Sequence, residues 1–179
     1  MDLRSLECPT TPEIAESIRI IARDEKSVDG GINPAQSVAQ SDVCINGMFL
    51  KYGCFFGVPQ AEVTSVVDFV LGQVMPDGGF DCRDNRSGAR HSSMHTTIHM
   101  LEGIHEYNVR GYHYRLEELM RVANSSREFL LKHRLYKSDH SGEIIHKDFL
   151  RFAFPPRWKY NVLQALDHFR VAGLPHDDR

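Results

Sequence analysis

The residues most able to do chemistry in this chain lie between Asp77 and Tyr107, in DGGFDCRDNRSGARHSSMHTTIHMLEGIHEY. His91, His95 and His99 recur every four residues, so a helix carries them along nearly one face while His105 drifts away from it. Two histidines at i and i+4 suit a metal ion, but no glutamate stands beside the first, so this is not the HExxH pattern of zinc proteases. His91 and His95, nearer the loops, are the functional candidates, and His99 is read as a structural histidine bonded to a neighbouring loop or helix. Ser92, Ser93, Thr96 and Thr97 either offer hydroxyls to the same mouth or cap the helix. Arg83, Arg86 and Arg90 surround Cys82, where they would lower a thiol pKa or hold a phosphate or carboxylate, or simply make a solvated loop. Phe80, Tyr52, Trp158 and Tyr160 are aromatics that either line an apolar cavity or belong to the core. The expected substrate-binding residues are therefore Phe80, Cys82, His91, His95, Trp158 and Tyr160.

Helices must position these groups. Asp77-Gly78-Gly79 has an earlier echo in Asp29-Gly30-Gly31, 48 residues before it, and each turn is followed by a polar loop and a helix. A period of that size marks stacked helical hairpins. Thr11 caps the first helix with Pro12 in its first turn, and Ile14, Ile18, Ile21 and Ala22 line one face until about Lys26. Ser41 or Asp42 caps the second helix, VCINGMFLKYG. The third, AEVTSVVDFVLGQV, has the clearest apolar stripe, through Val63, Val66, Val67, Val70, Leu71 and Val74. The fourth runs from about Ser92 to Tyr107. The fifth carries Leu116, Leu119, Met120, Ala123, Leu130 and Leu131 inward, with its RLEEL and SSRE runs on a solvated face. From Tyr136 to Pro156 the period fails, Ser141-Gly142 standing where a third Asp-Gly-Gly is expected. After Pro155-Pro156 a sixth helix turns Val162, Leu166 and Phe169 inward.

With 179 residues, 41% of them hydrophobic, the chain fits one domain, read as residues 12–174 between an N-terminal tail (1–11) and a C-terminal tail (175–179). No apolar stretch approaches the roughly 20 residues a membrane span needs, and the polar N-terminus is unlike a secretory signal, so a cytoplasmic location is expected. Cys8, Cys44, Cys54 and Cys82 form no CxxC pair and are read as reduced thiols or ligands. A formal charge of −3 gives no electrostatic footprint for nucleic acid.

The repeated DGGI and DGGF turns, the helix after each, and the segments RHSSMHTTIHMLEGI, FLLKHRLYKSDHSGEII and FPPRWKYNVLQALDHFRVAG resemble the bacterial squalene-cyclase-like and prenyltransferase-repeat proteins, from about Pro12 to the C-terminus. The resemblance implies an all-α fold of three helical hairpins making a partial α/α toroid, half of a six-hairpin ring, with the second, fourth and sixth helices inner. An open half-ring exposes apolar inner faces, which calls for a partner, most simply a second copy; the alternative is a remnant or fragment of a longer protein. In the β subunits of protein prenyltransferases an Asp-x-Cys and a later histidine bind zinc. Carried over, that implies Asp42, Cys44 and His91 or His95 as metal residues and zinc as cofactor, with one tetrahedral position left for a thiol or water. Without the resemblance, Asp42 reads as a helix cap and Cys44 as a small buried hydrophobe.

Two departures bear on chemistry. The DxDD cyclisation acid of the squalene-hopene cyclases is absent, and no DDxxD-like cluster is present to hold magnesium against a diphosphate. The implied function is binding or transformation of an isoprenoid or other apolar small molecule without that acid. One alternative is a noncatalytic helical scaffold or truncated remnant acting through self-association. A carbohydrate-active toroid ranks last, with Asp77, Asp81, Asp84 and Glu102 as its candidate carboxylates.

Overall fold

Thr11 opens the first long helix as its sequence predicts: the side chain accepts the Ile14 N–H at 3.4 Å, and Pro12 takes the first helical position, where a missing N–H costs nothing. The computed structural model describes residues 2–35, 38–82, 88–153 and 158–179. Among these the regular elements are helical: α1 (Asp2–Ser5), α2 (Pro12–Asp24), α3 (Val43–Phe55), α4 (Gln60–Leu71), α5 (Met94–Val109), α6 (Leu116–Lys132), a 3-10 turn (Lys147–Leu150) and α7 (Val162–Val171). The described residues contain no strand, only two isolated bridges, Lys26 to Ile32 and Lys137 to Ile144. The segment expected as a loose N-terminal tail holds α1, and Arg4 in it pairs with the buried Glu106 of α5 at 2.8 Å.

The helices pack in two layers. In one, α4 lies between α2 and α6; in the other, α5 lies between α3 and α7, and α3 and α5 also touch α4 and α6 respectively. The α4 stripe explains the join, since Val63, Val66, Val67 and Val70 are all fully buried. Each such side chain contributes on the order of 1.5 to 3 kcal/mol relative to exposure. The tightest pair is α3 with α5, because both helices place a glycine at the crossing. A Cβ on Gly47 would stand 2.7 Å from the His99 backbone, and one on Gly103 would meet the Gly47 carbonyl oxygen. These helices run side by side in the same direction, so their N-termini share one end of the molecule.

The two Asp-Gly-Gly turns are one device used twice. Asp29 accepts the Gly31 N–H at 3.0 Å and both the N–H and the hydroxyl of Ser41 at 2.7 Å. Asp77 accepts the N–H of Ser92 at 2.8 Å and its hydroxyl. At the same offset from each serine, Asn46 and Thr97 reach back to the residue after the turn: Asn46 Oδ1 accepts the Ile32 N–H at 2.7 Å and Thr97 Oγ1 the Phe80 N–H at 3.1 Å. Gly30 and Gly78 have φ of +89° and +94° and press against the Ser65 carbonyl of α4 and the Ser125 carbonyl of α6, so a side chain there is barred twice over. The third turn keeps the pattern with one residue more: Ser138 N–H donates to Glu143 O as Ser27 N–H does to Gly31 O, both at 2.8 Å.

Two helix faces differ from expectation. In the SSRE run, read as solvated, Ser126 and Arg127 are buried, and the hydroxyls of Ser125 and Ser126 bond the Gly78 carbonyl at 3.1 and 2.9 Å. The second turn thus docks onto α6 through hydroxyls, which an apolar pattern does not register. On α7, Leu166 faces out, 51% exposed, while Gln164, Ala165 and His168 are buried. Gln164 Nε2 donates to Glu102 at 3.2 Å and Arg127 Nε to His168 Nε2 at 3.3 Å, so the inward face of α7 is set by polar bonds to α5 and α6. Pro155 and Pro156, expected to break the chain before α7, lie outside the described residues.

Candidate ligand cavity and thiol pair

At the end where α3 and α5 begin, the loops line a half-open cavity of about 890 Å³. Cys44 from the first turn of α3, Cys82 from the loop after the second glycine turn, and His91 and His95 at the head of α5 all line it. Trp158 does too, 56% exposed at its mouth. Further lining residues were not anticipated: Phe129 and His133 from the end of α6, His140 and His146 from the third turn, and Phe149 from the 3-10 turn. The signal for them lay in SDHSGEIIH, whose place as a third turn puts its histidines on the same rim as His91. A second hollow of about 430 Å³ adjoins the first, sharing His95, His146, Phe149 and Trp158 and continuing to Tyr160 and Asn161.

Other expected residues lie elsewhere. Phe80 is fully buried in the core and Tyr52 is in none of the cavity walls, so neither lines the cavity. Tyr160 is 2% exposed; its hydroxyl donates to the Leu135 carbonyl at 2.6 Å and burial raises its pKa, so it acts as a packed strut whose edge reaches the second hollow. His99 is buried and bonds the Trp158 carbonyl at 2.9 Å through Nε2, which ties α5 to the segment before α7. Arg83, Asp84 and Arg86 lie outside the described residues.

His95 is oriented by the backbone. Its Nδ1 accepts the Tyr160 N–H at 2.7 Å, so the neutral ring carries its proton on Nε2. Burial first, then the neighbouring His99, His146 and Lys159, lowers its pKa, which favours that neutral form. Phe149 and Trp158 pack around the ring with centroids 5.5 and 5.7 Å away. What His95 presents is a hydrogen-bond donor in an aromatic frame.

Cys82 and Cys44 form a pair. The Cys82 sulfur accepts the Cys44 backbone N–H at 3.0 Å and the Thr96 hydroxyl at 3.5 Å. Asp42, at the N-cap of α3, makes no side-chain bond to the helix N–H groups, and the sulfur meets one of those donors instead. The bond from the Cys44 thiol, opposed by burial and aided by Thr96 and the Cys44 N–H, brings the Cys82 pKa down to about 7. Cys44, whose proton that bond holds and which is itself buried, is pushed up.

The implied zinc set is not assembled. Among the described residues no three His, Cys, Asp or Glu side chains stand together as a group able to hold a metal ion. Asp42 is outside the cavity walls, and His95 has committed Nδ1 to Tyr160, leaving a proton where a ligand needs a lone pair. As placed, Asp42, Cys44, His91 and His95 do not fit a tetrahedral ion. For a glycosidase, Asp77 is bonded to Ser92, and Glu102 is paired with Lys51 at 2.9 Å away from the cavity walls, so these two do not face each other across it. No described helix is long and apolar enough to cross a membrane.

In comparisons with known proteins, no family model, no curated protein and no solved structure matches this chain.

Proposed function

We propose that the chain is a half-ring of the α/α-toroid kind, with α3, α5 and α7 inner, that binds an apolar small molecule bearing one polar end, of which an isoprenoid alcohol is the simplest example. The observation that carries this reading is that Cys44, Cys82, His91, His95 and Trp158, distant in sequence, are walls of one cavity. Phe129, Ile145, Phe149 and Trp158 supply apolar surface for a hydrocarbon body, and His95 supplies a donor for its oxygen. At about 890 Å³ the cavity lies within the range of small-molecule sites.

Because Trp158 is the single tryptophan, its emission reports on the site without a label. Titration with farnesol is expected to give a saturable blue shift, and Phe149→Ala to weaken it about tenfold. Calorimetry on Trp158→Phe provides a second readout; no saturable heat and no shift would overturn the proposal. No step runs through zinc, and stoichiometric zinc lost in Cys44→Ser would be needed to bring it in. Self-association belongs to the same reading, because Leu163 and Leu166 on α7 are 53% and 51% exposed at the edge of the inner layer and a second copy would cover them. Sizing chromatography that reports a monomer removes that part and leaves the cavity untouched.

A further inference from the structure

The sulfur of Cys82 lies between the first turns of two long helices. It receives the N–H of Cys44, the second residue of α3, and the hydroxyl of Thr96, the third residue of α5. Helix N-termini carry partial positive charge, so both favour an anion at that position. The sulfur also faces a cavity wide enough to admit a small reactant, and a second sulfur, that of Cys44, lines the same wall. Both cysteines are free thiols. Cys54, by contrast, is 1% exposed, and Cys8 stands apart near α1. The donors on the Cys82 sulfur and the thiol beside it are features that the ligand-binding proposal does not use, and the cavity shared with that proposal gives a reactant its approach.

We propose that Cys82 and Cys44 are a redox pair that reduces a hydroperoxide, Cys82 as the attacking thiolate and Cys44 as the resolving thiol. The Cys82 thiolate attacks the terminal oxygen of ROOH; the O–O bond breaks, an S–O bond forms, and the departing alkoxide takes a proton from solvent as ROH, leaving Cys82 as the sulfenic acid. The Cys44 thiol then attacks the Cys82 sulfur: an S–S bond forms, the S–O bond breaks, and the departing hydroxide leaves as water with the Cys44 proton. The sum is dithiol plus ROOH giving disulfide, ROH and water. An external dithiol restores the pair by exchange. Thr96 is assigned as a positioning residue, acting through its hydroxyl on the Cys82 sulfur.

The test uses the full chain, reduced and then treated with one equivalent of cumene hydroperoxide, alkylated, and mapped without reduction. The expected product links the Cys82 and Cys44 peptides, with one peroxide consumed per link. Cys44→Ser should stop at a Cys82 sulfenic acid that a 1,3-diketone traps. Cys82→Ser should slow peroxide consumption at least tenfold and leave Cys44 unlabelled by the diketone. Thr96→Val should slow the first step several-fold, and rescue by Thr96→Ser would separate the hydroxyl's role from packing. Oxidation of Cys8 as fast as Cys82, or diketone labelling at Cys44 in preference to Cys82, overturns the assignment. Neither result depends on farnesol binding, so this inference and the ligand reading fail separately.

Discussion

Cys82 shows how far a residue's chemistry is set by what the chain brings beside it. Its arginine neighbours in sequence suggested a lowered pKa; the described partners that lower it are the Cys44 thiol, Thr96 and the Cys44 N–H, which no local pattern announces. With its pKa near 7 instead of 9.0, Cys82 should alkylate with iodoacetamide along a pH curve centred near 7, while Cys54, buried and raised, stays unreactive in the native state. Peptide-resolved labelling between pH 5 and 9 checks this. A midpoint near 9 would mean that the Cys44 thiol, Thr96 and the Cys44 N–H do not hold the anion. His95 was legible because a four-residue spacing at the loop-bearing end is enough to aim a side chain at a rim. Its tautomer was not, because the Tyr160 N–H that sets it comes from a segment 65 residues away.

Elements are legible where a local rule forces them. The Asp-Gly-Gly turns could be read from sequence because φ near +90° admits glycine cheaply, whereas the serine that each aspartate holds, 12 residues on in one turn and 15 in the other, has no fixed spacing to announce it. Glycines inside α3 and α5 send the opposite local signal, since each weakens its own helix by roughly 0.5 to 1 kcal/mol relative to alanine. Their purpose appears only in the pair, where Gly47 and Gly103 let two backbones touch. Gly103→Ala should therefore cost about 3 kcal/mol despite its better helix propensity, because the obstacle is backbone that cannot swing aside. That corresponds to a fall in Tm of roughly 6 to 12 °C for a domain of this size. Gly57→Ala, with open space around it and a φ of +76°, is the control and should lose only about 1 kcal/mol. Equal losses by calorimetry would remove close packing as the reason for the α3–α5 pair. The sequence reading of α7 held only in part: Val162 and Phe169 are half-buried, Phe169 against the core, but Leu166 faces out and the most deeply buried face is Gln164, Ala165 and His168, whose polar members an apolar pattern passes over.

At the scale of the whole molecule, the succession of helices follows from apolar periodicity and the repeated turns, whereas the polar bonds between layers depend on the completed packing. One of them makes stability depend on pH. His168, 2% exposed, is held neutral by burial first and by the adjacent Arg127, which take its pKa from 6.5 to about 3. The unfolded chain accepts that proton below about pH 6.5 and the folded chain does not until about 3, so the contribution is complete above 6.5 and is lost as the pH falls through this window. The slope approaches about 1.4 kcal/mol per pH unit, which amounts to about 2 kcal/mol between pH 6.5 and 5. Glu102 acts in the same direction at lower pH: burial opposes its charge, but His99 and Lys51 hold its pKa at about 2, so its contribution disappears as pH falls from 4.5 toward 2. Urea unfolding at pH 6.5 and 5 should show the His168 loss in the native sequence. His168→Gln, which keeps an acceptor for Arg127 Nε and removes the titration, should flatten it by about 2 kcal/mol, even if the variant starts from a lower stability. An unchanged pH slope in that variant would mean that His168 takes its proton in the folded protein, and that the buried contact between α6 and α7 opens without unfolding the rest.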